Sequence, residues 1–232
     1  MSKKRGKKFK EISNNYDKTK LCTIEEAVKL VKELSWVKFN ESVDVAIRLG
    51  INTKHSEEQV RGAVDLPHGT GKDIKVVVIA QGEKVKEAEE AGADFVGGED
   101  LAEKIQNGWT DFDAAIATPD MMKVVGKLGR VLGPRGLMPN PKVGTVTFDV
   151  KEAITSVKKG KVEYRADRFG IVHSMIGKIN FEDEKLIENF KAIMDAIIKA
   201  KPASSKGRYL ISVSLSSTMG PGIRLDTTKL LA

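Results

Sequence analysis

The stretch SVDVAIRLG (residues 42–50) decides the fold because it is a strand without a neighbour. Apolar and more polar side chains alternate along it, and successive side chains of a strand point to opposite faces of the sheet. The buried face is therefore predicted to carry Val43, Val45, Ile47 and Leu49. The nearby sequence offers no partner strand, and an isolated strand is not stable in water. Its partners must come from a distant part of the chain.

The last third of the chain supplies those partners. Strand patterns occur at residues 161–165, 170–176 and 208–216. The first two are predicted to form a hairpin across Asp167–Gly170. Pairing these strands with residues 42–49 gives one antiparallel sheet.

Two helices are predicted to cover one face of this sheet. The first begins at a capping box formed by Thr23 and Glu26. The second covers residues 182–201, begins with acidic side chains and ends before Pro202, as the helix dipole and the fixed φ of proline favour. Four apolar side chains at helical spacing are predicted to face inward. They are Leu186, Phe190, Ile193 and Ile197.

The middle third of the chain has a different pattern. It starts with IKVVVIA (residues 74–80), a continuous apolar run typical of a strand buried on both faces. Helix and strand patterns then alternate with short links, which predicts a small parallel, Rossmann-like sheet. The expected fold class is α/β (α+β plus α/β), with a discontinuous first domain and an inserted second domain. The predicted boundaries are 1–67 with 160–232 for the first domain and 68–159 for the second.

The formal net charge of +7 is concentrated at the two ends of the chain. Residues 1–20 carry +6 and residues 160–232 carry +4, whereas residues 21–67 and 68–159 carry −2 and −1. The basic tail, residues 1–20, has no large apolar helical face, and this favours nucleic acid over a membrane as partner. The alternative is a tail that only keeps the protein soluble. No helix-turn-helix, zinc-finger or RRM signature is present, so RNA would be recognised by shape, backbone and ribose contacts.

Other functional classes find little support in the composition. No apolar run approaches the roughly 20 residues of a membrane span, and none follows the basic N-terminus as in a secretory signal. The single cysteine, Cys22, excludes an internal disulfide. The three histidines are scattered and form no metal-ligand pattern, so we expect neither a metal nor a cofactor.

An enzyme built on the middle domain is the alternative from another class. The strand IKVVVIA is followed by QGEK, which lacks the G-x-G-x-x-G of dinucleotide-binding domains. Neither a P-loop nor a G-x-S-x-G elbow occurs in the chain. The acids of residues 83–90 alternate with lysines, which is typical of a solvated, ion-paired helix face. A nucleotide-dependent enzyme is therefore disfavoured, and no enzymatic activity is expected. A structural adaptor with incidental RNA binding by the tail is a third hypothesis.

Six long motifs follow one another along nearly the whole chain. They are KFNESVDVAIRLGI, QVRGAVDLPHGTGK, GADFVGGEDL, WTDFDAAIATPDMM, KLGRVLGPRGLMPNPKVGTV and SSTMGPGIRLD. In this order they closely resemble the bacterial large-subunit ribosomal protein L-one family, the proteins of the mobile ribosomal stalk. The resemblance implies a two-domain, ribosome-bound cytoplasmic protein that acts as a monomer within the ribosome and binds large-subunit (23S) rRNA. It also implies help in releasing exit-site tRNA, and translational repression through binding of the protein's own operon mRNA.

The resemblance also implies RNA-binding residues at the matching positions. KFNES supplies Lys38, Phe39 and Ser42, where serine stands in place of the threonine that the family often has. SSTMG supplies Ser217, Thr218, Met219 and Gly220. Hydroxyl and backbone N–H groups suit ribose and phosphate, and glycine allows RNA to approach the backbone closely. Without the resemblance, Phe39 would be interpreted as a core residue and Met219 as a residue that fills a packing gap.

The predicted hairpin turn carries a second group of candidate contacts. Arg165, Asp167 and Arg168 are predicted to contact phosphate and ribose groups. The alternative is an ordinary solvated turn with no ligand.

A glycine-rich basic loop, GRVLGPRGLMPNPKVG (residues 129–144), provides the third group. It has no nucleotide-binding spacing, and its prolines fix a shape. The basic residues of this region are predicted to face the interdomain cleft or the exit-site tRNA as charge contacts. They are Lys127, Arg130, Arg135 and Lys142.

Overall fold

The computed structural model describes residues 6–14, 16–17, 19–205 and 207–230, with only the backbone described at residue 56. The helices are α1 (Lys7–Asn14), α2 (Ile24–Glu33), α3 (Glu83–Glu90), α4 (Glu99–Gln106), α5 (Met122–Lys127), α6 (Gly129–Leu132), α7 (Val150–Lys159) and α8 (Asp183–Lys199). The strands are β1 (Ser42–Leu49), β2 (Arg61–Asp65), β3 (Val76–Ile79), β4 (Phe95–Gly97), β5 (Ala114–Ala117), β6 (Lys161–Arg165), β7 (Ile171–Lys178), β8 (Leu210–Ser217) and β9 (Ile223–Leu225). The chain divides into two compact units, Met1–Gly71 with Val162–Ala232, and Lys72–Lys161.

The first unit is built on a four-stranded antiparallel sheet in the order β7-β1-β8-β9. Strand β1, for which the sequence offers no partner nearby, lies between β7 and β8. Its apolar residues 43, 45, 47 and 49 are all buried. The antiparallel sheet and the mixed α/β class predicted from the sequence are confirmed. The non-local pairing follows from the alternating pattern, because a half-apolar strand must bury one face.

Two helices bury their apolar sides against the same core. The capping box predicted for α2 is present, with Thr23 and Glu26 bonded reciprocally. The inward side chains predicted for α8 are all buried at 1% exposure or less. No helix in the described ranges has the length and apolar character needed to cross a membrane.

The predicted hairpin between residues 161–165 and 170–176 is wrong in its pairing. The turn forms, since the Asp167 N–H donates to the carbonyl of Ile171 at 2.9 Å. However, β6 pairs with β2 in a separate two-stranded sheet, and a single bridge, Ala166 to Val172, links its end to β7. Strand β2 has a weak pattern, RGAVD, in which glycine and alanine give little sign of a buried face. Its competition for β6 was therefore invisible in the sequence.

The second unit contains a three-stranded parallel sheet in the order β4-β3-β5. Its central strand β3 is fully buried, which confirms the interpretation of IKVVVIA as a strand covered on both faces. One apolar cluster includes α4 and α5, and another includes α7. A 3-10 turn at Pro119–Met121 leads into α5.

The basic tail contains structure that the sequence interpretation did not include. Residues 7–14 form α1, and Tyr16 is buried in the core of the first unit. The Tyr16 hydroxyl accepts a hydrogen bond from the backbone N–H of Arg224 in β9 at 3.3 Å. The predicted contribution of residues 1–5 lies outside the described residues.

Candidate nucleic-acid interface

The start of β1 and the end of β8, the two central strands, meet at one end of the first unit's sheet. The Ser42 N–H donates to Thr218 Oγ1 at 3.1 Å, and the Thr218 N–H donates to the Ser42 carbonyl at 3.1 Å. The antiparallel register places Val43 opposite Ser217, so the two sequence motifs adjoin through the sheet itself. We call residues 38–42 and 217–220 the strand-end loop pair. The structure thus brings together the two halves that the resemblance assigned to one site.

A buried carboxylate braces the strand-end loop pair. Glu41 is completely buried, and its Oε1 accepts a hydrogen bond from the backbone N–H of Met219 at 2.8 Å. Its Oε2 accepts from the Ser35 hydroxyl at 2.7 Å. Because a buried carboxylate requires such partners, its position and theirs are mutually fixed. Sequence reasoning missed Glu41. The one signal was an acid inside KFNES, directly before a strand, in a segment interpreted as an anion site.

Two large apolar side chains of the strand-end loop pair are open to solvent. Phe39 is 55% exposed and Met219 is 44% exposed. Neither belongs to the core, so the interpretations of Phe39 as a core residue and of Met219 as a gap filler are wrong. Lys38, which precedes Phe39 in the sequence, is also exposed. Exposed apolar side chains next to a cation suit the faces and phosphates of unstacked nucleotides.

The hydroxyl groups of the strand-end loop pair have different surroundings. Thr218 is exposed, and Ser42 is partly buried with its Oγ accepting from Lys178 Nζ at 3.1 Å. Ser217 is buried, and its Oγ has no hydrogen-bond partner within the described ranges. A Cβ added to Gly220 would lie 2.5 Å from that oxygen. Ser217 and Gly220 therefore shape the loop, while Thr218 and Ser42 lie nearer the surface.

The hairpin-turn residues lie at the other end of β1. Leu49 donates its N–H to the Gly170 carbonyl at 2.8 Å, which anchors the turn there. Arg165 and Arg168 are exposed and line a cavity of about 430 Å³. Seven residue steps along β1 separate this end from Ser42, or about 23 Å at the usual rise per residue. The predicted RNA contacts therefore form two groups on one unit.

Asp167 mainly serves the turn itself. Its Oδ1 accepts hydrogen bonds from the N–H groups of Phe169 and Ile171, both at 2.8 Å. This carboxylate oxygen therefore fits the alternative of an ordinary turn. Phe169, which sequence reasoning did not single out, is 73% exposed at the tip. A lone aromatic residue in a D-R-F-G turn was the available signal.

The third group lies in the second unit, where all four predicted cations are exposed. The first four residues of the predicted loop, 129–132, are helical and form α6. The Arg135 guanidinium donates to the Thr110 hydroxyl, and the backbone N–H of Lys142 donates to Asn140 Oδ1 at 2.8 Å. Pro139 and Val143 are buried. The segment is therefore partly structural, and the side chains of its basic residues are exposed to solvent.

The arrangement of the acidic side chains in the described residues gives little support to a metal-binding site. Among the described residues, no group of three or more His, Cys, Asp or Glu side chains is arranged to hold a metal ion. Burial raises the pKa of the Asp44 carboxyl, against the opposing charge of Lys178. Asp44 lies on β1 directly after the strand-end loop pair. The positive charge of Lys178, which also donates a hydrogen bond to Ser42, offsets part of the free-energy cost of burying this carboxylate.

The chain also matches the sequence model of a known protein family. The sequence model described as "Ribosomal protein L1p/L10e family" matches residues 30–221, which include both parts of the strand-end loop pair and the whole second unit. Members of this family are structural, non-enzymatic proteins of the ribosome that bind rRNA. The match spans well over half of the 232 residues, and the chain therefore belongs to the Ribosomal protein L1p/L10e family.

Proposed function

We propose that the strand-end loop pair is the place where this chain binds large-subunit (23S) rRNA at the mobile stalk. The observation that carries the proposal is the bonded pair of segments that presents Lys38, Phe39 and Met219 to solvent on a braced backbone. The domain that performs this role is the discontinuous one, residues 1–67 with 160–232. It acts as a monomer within the cytoplasmic ribosome.

The chemistry of these groups suits RNA. Lys38 neutralises a phosphate, and the Thr218 hydroxyl reaches a ribose 2′-OH, the group that distinguishes RNA from DNA. Phe39 and Met219 pack on a base or sugar. Because the Met219 N–H is held by Glu41, the loop meets RNA in a pre-organised shape and loses little conformational entropy on binding.

Filter binding with a large-subunit stalk rRNA fragment tests the proposal. Thr218→Val removes the oxygen that accepts from Ser42, and we expect about tenfold weaker binding. Thr218→Ser retains this oxygen and is the matched control, with affinity near that of the wild type. If replacing the exposed tail residues Lys7, Lys8 and Lys10 by Gln abolishes binding while Thr218→Val and Met219→Ala change nothing, the tail is the site and the proposal is wrong.

We further propose that the exposed cations of the second unit contact exit-site tRNA and assist its release. The double variant Arg130→Gln/Arg135→Gln should weaken contact with tRNA and leave stalk-RNA affinity nearly intact. Lys86→Gln/Lys104→Gln removes the same charge from exposed helix positions of that unit and serves as the control. A collapse of stalk-RNA binding in the first variant would instead place the loop in the primary site.

Regulation follows from the same surface. We propose that the strand-end loop pair also binds the protein's own operon mRNA and represses its translation. Both RNAs should then compete for one site, so unlabelled stalk rRNA should displace labelled mRNA completely. A ternary complex that contains both RNAs would rule out a shared site.

A further inference from the structure

A cavity of about 850 Å³ opens beside the strand-end loop pair, inside the first unit. Its walls come from three segments: the start of α1 with the residue before it, the side chain of Trp36, and residues 218–222 with Arg224. This volume lies in the range of pockets that enclose drug-sized ligands, roughly 300–1,000 Å³. Residues 218–220 belong both to the proposed rRNA site and to the cavity wall, so RNA bound at that site would pass the cavity mouth.

The side chains of the cavity wall combine positive charge with aromatic and apolar surface. Lys7, Lys8 and Arg224 are exposed, and the described lining includes no acidic side chain. Trp36 and Met219 both contribute apolar surface to the lining. Cationic groups for the backbone and an aromatic face for a base are the two components of single-strand nucleic-acid sites. A hydrophobic peptide would leave three cations without counter-charges.

No hydrogen bond within the described ranges fixes the orientation of the Trp36 indole ring. Lys8 Nζ lies 5.4 Å from the centre of its ring, a cation–π contact that a phosphate group could replace with a stronger ion pair. The indole N–H is buried and has no hydrogen-bond partner within the described ranges. The ring therefore loses no hydrogen bond when it reorients, and its N–H gains one if it meets a nucleotide acceptor.

We propose that this cavity receives one unstacked nucleotide of the RNA bound at the strand-end loop pair. The base packs between Trp36 and Met219, and its flanking phosphates bind Lys7, Lys8 and Arg224. Lys8 leaves the indole ring for a phosphate, and the base takes its place. The inference rests on the proposed rRNA binding and adds α1 and Trp36 to that site.

Tryptophan fluorescence tests the contact directly. The chain has two tryptophans, and Trp109 packs against Phe95 and Phe112 in the second unit. In the full-length Trp109→Phe variant the remaining signal comes from Trp36. Titration with the stalk rRNA fragment should quench this signal, with the same midpoint as filter binding, because a base stacked on indole quenches its emission.

Substitutions test the energetic contribution. Trp36→Ala should weaken stalk-rRNA binding by roughly 5- to 100-fold, as loss of a base–aromatic stack does, and Trp36→Phe should retain most of the affinity. Lys8→Gln should reduce the salt slope of log K by about 0.7, the value for one single-strand phosphate contact. Lys10→Gln, on the same helix but outside the cavity wall, is the matched control and should leave the slope unchanged.

Failure of this inference is distinguishable from failure of the proposed function. If the wild type binds, Met219→Ala binds weakly, and yet Trp36→Phe and Trp36→Ala bind like the wild type without quenching in the Trp109→Phe chain, the cavity holds no nucleotide. The rRNA site itself then stands. If the wild type does not bind the stalk fragment at all, both proposals are wrong.

Discussion

The buried Glu41 carboxylate accepts a hydrogen bond from the Met219 backbone N–H at 2.8 Å, across 178 residues of sequence. The acid thus fixes the position of a loop that is proposed to bind a polyanion. An acid near an RNA site is electrostatically unfavourable, but burial and bonding remove it from the surface. If the charge of Glu41 mattered most, its removal would strengthen RNA binding. If the position of the loop mattered most, its removal would weaken RNA binding.

Glu41→Ala should weaken stalk-rRNA binding by roughly tenfold or more, because the Met219 N–H and the Ser35 hydroxyl lose their acceptor. Glu41→Gln retains one acceptor oxygen and should have the smaller effect. We also expect Glu41→Ala to lower the free energy of unfolding by about 2–4 kcal/mol. Filter binding and urea denaturation measure both quantities.

Glu33→Ala provides the charge-matched control for this prediction, since Glu33 is exposed at the end of α2. It should change stability by less than about 0.5 kcal/mol. Tighter RNA binding by Glu41→Ala would mean that its charge, and not its hydrogen bonds, determines its effect.

Much of the first unit could be predicted because its strands and helices carry strong patterns. Alternation in residues 42–49 and the inward face of α8 each required burial, and their partners could be found by elimination. The short strand β9 has three residues, too few for a periodic signal. Helix α1, KKFKEISN, carries only two large apolar side chains, Phe9 and Ile12, among charged and polar residues, so its apolar face is weakly marked. Strand β6 could have paired with either β2 or β7, and the sequence patterns did not indicate which. Tertiary packing decides that β6 pairs with β2.

The sequence motifs of the candidate site could be predicted, but the buried residues that hold these motifs in place could not. KFNES and SSTMG could be placed together only once β1 and β8 were known to be neighbours. The bracing role of Glu41 needs the fold, since a single glutamate in a sequence does not reveal whether it is buried. Likewise, the contribution of Trp36 depends on where α1 packs, and the basic tail had no periodic pattern to indicate this.

Gly220 and Ser217 should show energetic coupling. In Gly220→Ala the new methyl group would lie 2.5 Å from Ser217 Oγ, so the buried hydroxyl must rotate. We expect a loss of about 1–2 kcal/mol of unfolding free energy. Ser217→Ala removes the obstructing oxygen, which has no hydrogen-bond partner among the described residues, and should be nearly neutral. The double variant should recover about 1 kcal/mol relative to additivity in urea denaturation. Strict additivity would show that the loop relaxes freely.

Asn189 of α8 should be among the most sensitive polar residues of the first unit. It is fully buried, and its Nδ2 donates to the carbonyls of Gly69 and Ile176 at 2.9 and 2.8 Å. Its Oδ1 accepts from the His68 N–H at 3.1 Å. Asn189→Ala leaves three backbone groups without their partner and should cost about 2–4 kcal/mol in urea denaturation. Asn180→Ala, at an exposed position, is the control, and an equally small effect at both positions would contradict the prediction.

Tyr209 should make the protein less stable at alkaline pH. Burial, with a smaller effect from Tyr164, raises the pKa of its phenol from 10.0 to about 12, and its hydroxyl donates to the Ile197 carbonyl at 3.0 Å. Above pH 10 the unfolded chain loses this proton while the folded chain retains it, so stability falls as pH rises. The loss attributable to Tyr209 should approach roughly 2–3 kcal/mol near pH 12.

Tyr209→Phe separates this titration from the hydrogen bond. At pH 7 the variant should be about 1 kcal/mol less stable than the wild type, because one hydrogen bond is lost. Its stability should then fall less steeply above pH 10, so the two urea-denaturation curves converge and cross as the wild type loses its advantage. Some decline should remain in the variant, since burial also raises the pKa of Tyr164. Parallel curves for both proteins between pH 7 and pH 12 would show that the phenol of Tyr209 titrates alike in the folded and unfolded chains, against the raised pKa.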